Sequence, residues 1–193
     1  MNTEDRMYRI EDCSSQLEAL LAEKILVLDG AWGSMIQTYQ LDETAFRGNR
    51  LKDHSVDLQG NNDILCLTQP QIIEEIQQLY LDAGADLIST NTFTANKISQ
   101  ADYETEKLVY EINFEAASLA RKLTDKYSKN NPSKPRFVVG CMGPTNRTAS
   151  LSPEVDDPAF RNVTFDQLSE AYIENARGLL DGGAHILMIE TVF

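Results

Sequence analysis

Apolar residues recur along this chain in two rhythms. Three stretches repeat at spacings of three and four: Ile72, Ile73, Ile76, Leu79 and Tyr80; Leu108, Ile112, Ala116, Leu119, Ala120 and Leu123; Leu168, Ala171, Tyr172, Ala176, Leu179 and Leu180. Each stripe predicts an amphipathic helix with one face in a core. Thr68 with Gln71, and Thr164 with Gln167, fit capping boxes opening the first and third of these helices. Around the stripes lie short unbroken apolar runs at residues 25–28, 87–88, 137–139 and 186–189. They are too short for helices and predict strands buried on both faces. Residues 81–92 also align without gaps on residues 180–191. Each copy reads as a helix end, a glycine stop, a short strand, then a polar residue and threonine.

Strand and helix alternate from residue 25 onward, which predicts a parallel sheet with right-handed crossovers. The strands recur about every 50 to 60 residues, generous for a doubly wound sheet and normal for a barrel with elaborated loops. The expected fold class is α/β: the first half, about four β/α units, of a TIM (β/α)8 barrel. A whole barrel takes about 250 residues, and this chain stops just past a strand, so the expectation is truncation with the second half absent. Residues 1–24 would form an N-terminal leader and a covering helix over 15–23, and residues 25–193 the half-barrel. Two long connections, 30–67 and 142–164, follow strand C-termini, where α/β proteins place their binding sites.

Composition narrows the partners. With 17 basic and 30 acidic residues the formal net charge is −13, which repels phosphate backbones and anionic bilayers, so neither nucleic acid nor membrane is expected. No apolar run approaches the roughly 20 residues of a membrane span, and the polar N-terminus lacks a signal-like core, so the expected location is cytoplasmic. Cys13, Cys66 and Cys141 are far apart without a Cys-x-x-Cys pair, as separate thiols would be. His54 in a polar loop and His185 at a strand start read as structural. The acidic run at Glu154, Asp156 and Asp157 lacks the spacing of a calcium loop and fits a solvated loop and helix cap.

Polar residues that follow the strands gather at one face: Asp29, Asn91, the turn from Cys141 to Asn146, and Glu190. Two carboxylates on nearby strand tips suit an ammonium ion. Gly30 and Gly143 let a ligand approach the backbone and leave N–H groups for a carboxylate. An ammonium site beside free amides is what an α-amino acid needs. Blander readings stand beside these. Asp29-Gly30 is also a common turn pair, Glu190 could be a rim charge paired to a lysine, and Asn91 could orient its own loop. Trp32 either walls the pocket or packs.

Five blocks then carry a resemblance. Leu28-Asp29-Gly30-Ala31-Trp32-Gly33-Ser34-Met35, Asn61-Asn62-Asp63-Ile64-Leu65, Ser89-Thr90-Asn91-Thr92-Phe93, Val139-Gly140-Cys141-Met142-Gly143-Pro144-Thr145-Asn146-Arg147-Thr148 and Ile189-Glu190-Thr191 stand in the order found in homocysteine methyltransferases. The similarity spans about residues 17–193. The stretch from Gly143 to Thr148, with Ser150 and Ser152-Pro153 behind it, resembles the cobalamin-dependent methionine synthases more than the betaine-dependent relatives. The resemblance implies a barrel in which zinc binds the homocysteine sulfur and methylcobalamin, recharged by methyltetrahydrofolate, donates the methyl group. It also implies that Asp29 and Glu190 hold the homocysteine ammonium, that Gly30 and Ala31 meet the substrate through their backbone, and that Asn91 sits at the rim. The family's zinc-binding cysteines, two of them in a Gly-Gly-Cys-Cys segment, belong to the second half of the barrel and have no counterpart here. No metal or cobalamin is therefore expected on this chain alone, nor turnover. Expected partners are L-homocysteine and the cobalamin and folate domains of a longer protein. The alternatives are a relative using betaine or S-methylmethionine, and a non-catalytic half-barrel that pairs with another chain, as a dimer of fragments would.

Overall fold

A computed structural model of the protein describes residues 12–192; most of the expected leader lies outside them. In chain order the elements are α1 (Ser14–Glu23), α2 (Trp32–Gln37), α3 (Glu43–Arg47), α4 (Leu65–Thr68), α5 (Pro70–Ala83), β1 (Leu87–Ser89), α6 (Lys97–Gln100), α7 (Val109–Asn130), β2 (Phe137–Met142), α8 (Phe165–Asp181) and β3 (Ile186–Ile189), with short 3-10 turns between. The three strands are parallel and lie in sequence order, β1-β2-β3. Helices α5, α7 and α8 precede β1, β2 and β3 as the apolar periodicity predicts. Among the described residues no helix is long and apolar enough to cross a membrane.

The expected first strand is much reduced. Residues 25–28 contribute one parallel bridge, Leu28 to Leu87, closed by Leu87 N–H to Val27 O and Asp29 N–H to Leu87 O, both 3.0 Å. Pairing stops there because the Asp86 carboxylate takes the Val27 N–H at 3.0 Å and the Lys24 ammonium at 2.9 Å. That amide would otherwise donate to a neighbouring carbonyl in a regular ladder. Ile25 is left 87% exposed.

Strand β2 is buried at every position, as a central parallel strand should be. In β3, by contrast, Leu187 and Ile189 are exposed, contrary to the expectation of burial on both faces. Among the described residues β3 pairs only with β2, so its outer side has no cover. The covering helix is present as α1 but buries none of its residues.

Helix ends follow local chemistry. Thr164 and Gln167 form the expected reciprocal capping box at the start of α8. Thr68 does not cap α5: it is the last residue of α4. Pro70 at the first position of α5, with Gln69 as its cap, sets the start instead, since proline fixes φ and has no N–H to leave unpaired. Gly84 closes α5 in the left-handed conformation, and Gly183 takes the matching role after α8.

Two apolar clusters hold the elements together. One gathers Ile36, Phe46, Leu58, Ile64, Ile73 and Ile112 beneath the long first connection. The other packs Leu81, Ile88, Val138 and Leu179 between the sheet and its helices. Both histidines are structural. His54 Nε2 lies 2.7 Å from Tyr103 O, and His185 Nδ1 accepts the Val138 N–H at 2.9 Å.

Candidate active site at the strand ends

The carboxyl ends of residues 25–28, β1 and β3 open onto a cleft of about 530 Å³. Asp29, Asp63 and Glu190 line it, and none of its lining residues is Lys, Arg or His. A cleft of this size suits a small molecule, and its acidic lining suits a cation.

Asp29 follows directly on the bridge at Leu28, which fixes its backbone against β1. Its Oδ2 accepts two hydrogen bonds from Ser89, from the backbone N–H at 2.9 Å and from the hydroxyl at 3.0 Å. The Trp32 indole N–H in turn donates to Ser89 Oγ at 2.8 Å. Burial pushes the Asp29 carboxyl up to about 6; the Ser89 bonds pull it back, and the nearby negative charge of Glu190 adds to the rise. Glu190 leaves the end of β3, its N–H held by Met142 O at 3.1 Å. The Cys141 thiol lies against the Glu190 carboxylate, and burial together with both carboxylates holds that thiol well above its ordinary range.

Gly30 and Ala31 line the cleft as well. A side chain at Gly30 would press on the Tyr80 ring at 3.3 Å, and the Tyr80 hydroxyl donates to Ala31 O at 3.1 Å. Asn91 is buried in the wall with its amide committed, donating to Asn62 O at 2.7 Å. Gly143 is not among the lining residues. Its missing side chain makes room for the chain at Phe93, whose carbonyl oxygen would lie 2.0 Å from a Cβ.

Three cleft features escaped the sequence-based assignment of the site. Asp63 is 2% exposed and receives the Thr94 N–H at 3.0 Å, the Thr94 hydroxyl, and Gln100 Nε2 at 3.4 Å. Burial outweighs these donors and raises its carboxyl to about 6. Ser89 and Trp32 act on Asp29 as described. The third is a clip between β1 and β2. Thr90 Oγ1 accepts the Cys141 N–H at 2.9 Å, Thr92 Oγ1 donates to Cys141 O at 2.8 Å, and the two hydroxyls lie 2.6 Å apart. Since the Thr92 proton is spent on Cys141 O, Thr90 donates to Thr92. The motif blocks held a signal for each, in Asn61-Asn62-Asp63, in Trp32 and in Ser89 to Thr92, but not the hydrogen bonds that join them.

A resident zinc needs converging side-chain donors. Among the described residues no three His, Cys, Asp or Glu side chains come together in a metal-holding group. Among the described residues the cysteines form no disulfide, and burial raises the thiols of Cys66 and Cys141, which works against the thiolate a metal requires. These residues do not fit the ion.

Parallel strands in sequence order, with an acidic cleft at their carboxyl ends, define an α/β protein whose cleft has the size and charge to suit a small cationic or zwitterionic ligand. Its family follows from its sequence. The profile of the homocysteine S-methyltransferase family matches residues 26–193, and the chain belongs to that family, as the five motif blocks implied. Its fold is similar to part of that of the Escherichia coli homocysteine methyltransferase MmuM. The metallated form matches with a TM-score of 0.67 at 22% identity, over 91% of this chain and 57% of that one. The oxidized form matches with a TM-score of 0.63, also at 22% identity, over 89% and 55%. The chain thus spans little more than half the length of these structures.

Proposed function

We propose that this chain supplies the amino-acid-holding part of a homocysteine S-methyltransferase site, within the first half of a (β/α)8 barrel. The observation that carries the proposal is the pairing of Asp29 and Glu190 across one cleft that no basic side chain lines. Two carboxylates that repel each other in a half-dry site are relieved by an ammonium between them, each adding a charge-assisted hydrogen bond. The backbone at Gly30 and Ala31 borders the same space and can meet the rest of the amino acid. The residues assigned to the amino acid supply neither sulfur activation nor the methyl donor, and no turnover is expected from them alone. The segment from Gly143 to Thr148 favours methylcobalamin, as in methionine synthases, over betaine or S-methylmethionine as donor.

Calorimetric titration with L-homocysteine tests the binding role. Asp29→Ala and Glu190→Ala should each weaken binding by about 1.5–3 kcal/mol, typical of lost charged hydrogen bonds. The analogue without the amino group, 4-mercaptobutyrate, should bind poorly to the unaltered protein. Undiminished homocysteine affinity in both variants would remove the two carboxylates from the site. Offering methylcobalamin, betaine and S-methylmethionine in turn to the intact protein, and following methionine formation, tests the donor.

A further inference from the structure

Ser89 stands behind Asp29 in an arrangement that decides where its one hydroxyl proton goes. An indole N–H can only donate, so Trp32 Nε1, 2.8 Å away, occupies a lone pair of Ser89 Oγ. The hydroxyl proton is thereby free for Asp29 Oδ2 at 3.0 Å, where the Ser89 N–H also arrives at 2.9 Å. Both donors fall on the same carboxylate oxygen, and among the described residues none falls on Oδ1. The carboxylate is therefore gripped on one side and open on the other. Ser89 is itself buried in β1, so its two bonds are little weakened by water.

The charges around Asp29 make this grip matter. From β3 the facing group is Glu190, which is negative and repels it. From β2 it is Cys141, and from α5 Tyr80, both acids that the Asp29 charge drives further toward their neutral forms. Among the described residues no Lys, Arg or His forms an ion pair with Asp29. Support for the charge within the protein comes from hydrogen bonds, and among the described residues Ser89 supplies them.

We propose that Ser89, oriented by Trp32, is a positioning residue that keeps the Asp29 carboxylate ionised and turned toward the ligand before the ligand arrives. The inference extends the assignment of Asp29 to the homocysteine ammonium and rests on it for its role in function. The hydrogen-bonding half of it holds without any ligand.

The test is a carbon-13 NMR titration of the Asp29 carboxyl in the ligand-free protein, with the resonance assigned by its loss in Asp29→Asn. The unaltered protein should titrate near 6. Ser89→Ala should move the midpoint up by about one unit, the size expected for one lost hydrogen bond to a charge. Trp32→Phe frees the hydroxyl to turn away and should move it less, in the same direction; it also serves should Ser89→Ala fail to fold. Ser89→Thr, which keeps the hydroxyl, should restore the original midpoint. An unmoved midpoint in the folded alanine and phenylalanine variants would overturn the proposal. Homocysteine affinity separates the two layers. With the midpoint raised one unit, Ser89→Ala should bind about fivefold more weakly at pH 6 and nearly normally at pH 8, from the ionised fraction alone. If the midpoint moves and affinity does not follow it, Ser89 still positions Asp29, and the ammonium assignment of Asp29 is what fails.

Discussion

Asp29 shows at the scale of one residue how a carboxylate buried in a cleft works against the stability of its own fold. Its ordinary value of 3.8 rises to about 6 on folding, so the folded state binds the proton more tightly than the unfolded chain does. Stability from this group is therefore greatest in acid and is lost as pH rises from about 4 through 6. At neutral pH the ionised carboxylate is a net cost. Asp29→Asn removes the charge and keeps an oxygen for Ser89. It should raise stability by about 1–2 kcal/mol at pH 7.5, the two-unit shift being reduced by partial solvent access. The gain should vanish near pH 4. Urea midpoints at the two pH values check this; a variant no more stable at pH 7.5 would show that the carboxylate is better solvated than its surroundings imply. The strand-tip carboxylates were legible in the sequence because each directly follows an apolar run. Asp63 was less so as a wall residue, because its meaning depends on Thr94 and Gln100, more than thirty positions away, meeting it in space.

Helices α7 and α8 pack tightly against each other, and small residues permit the approach. A Cβ on Gly178 would lie 2.7 Å from both Asn113 Cβ and Tyr110 O, and one on Gly182 would lie 2.3 Å from Phe114 O. Asn113 bridges the pair: its amide donates to Ala95 O at 2.7 Å and Val109 O at 2.8 Å, and its oxygen accepts from Asn175 at 2.5 Å. Gly178→Ala should therefore destabilise by about 1–3 kcal/mol, the usual range for overpacking, despite alanine's better helix propensity. Gly33→Ala in α2, where nothing lies within 4 Å of the new methyl, is the matched control and should be neutral or slightly stabilising. Thermal unfolding of the two variants separates close packing from propensity. Helix α5 carries a different fault. Gln77 is wholly buried, and neither end of its amide has a partner among the described residues. Gln77→Met keeps the length of the side chain and removes the unpaired dipole, and should stabilise by about 1–2 kcal/mol by denaturant titration. The apolar stripes gave the helices and most of their inward faces, Ile73 and Ile76 among them, because burial imposes a 3.6-residue period. They misplaced Leu79, which is 49% exposed, and passed over Gln77 and Asn113, since a polar residue facing inward breaks the pattern that identifies the face.

For the molecule as a whole, what matters is that the sheet is well covered at its centre and thinly covered at both margins. Strand β2 is buried throughout, whereas Val27 and Ile25 at one margin and Leu187 and Ile189 at the other meet solvent. Parallel strands are stable when both faces and both neighbours are present, and exposed apolar margins invite further pairing. The strand order advances without reversal, as it would in a barrel, and the sequence could show this only as a count of strands and spacings. It could not show that the first strand would shrink to a single bridge, because the Asp86 side chain intercepts its ladder from 59 residues away. If the chain is the first half of a barrel, the margins should be its least protected parts. Hydrogen exchange followed by mass spectrometry should find the slowest amides in β2 and much faster exchange in residues 25–28 and in the outward amides of β3. Joined to sequence that completes the barrel, β3 should slow toward the rate of β2, because its outward N–H groups would then donate to a next strand. Equal protection of β3 in both contexts would mean that these margins are finished edges, and the cleft between Asp29 and Glu190 would then have to be complete as it stands.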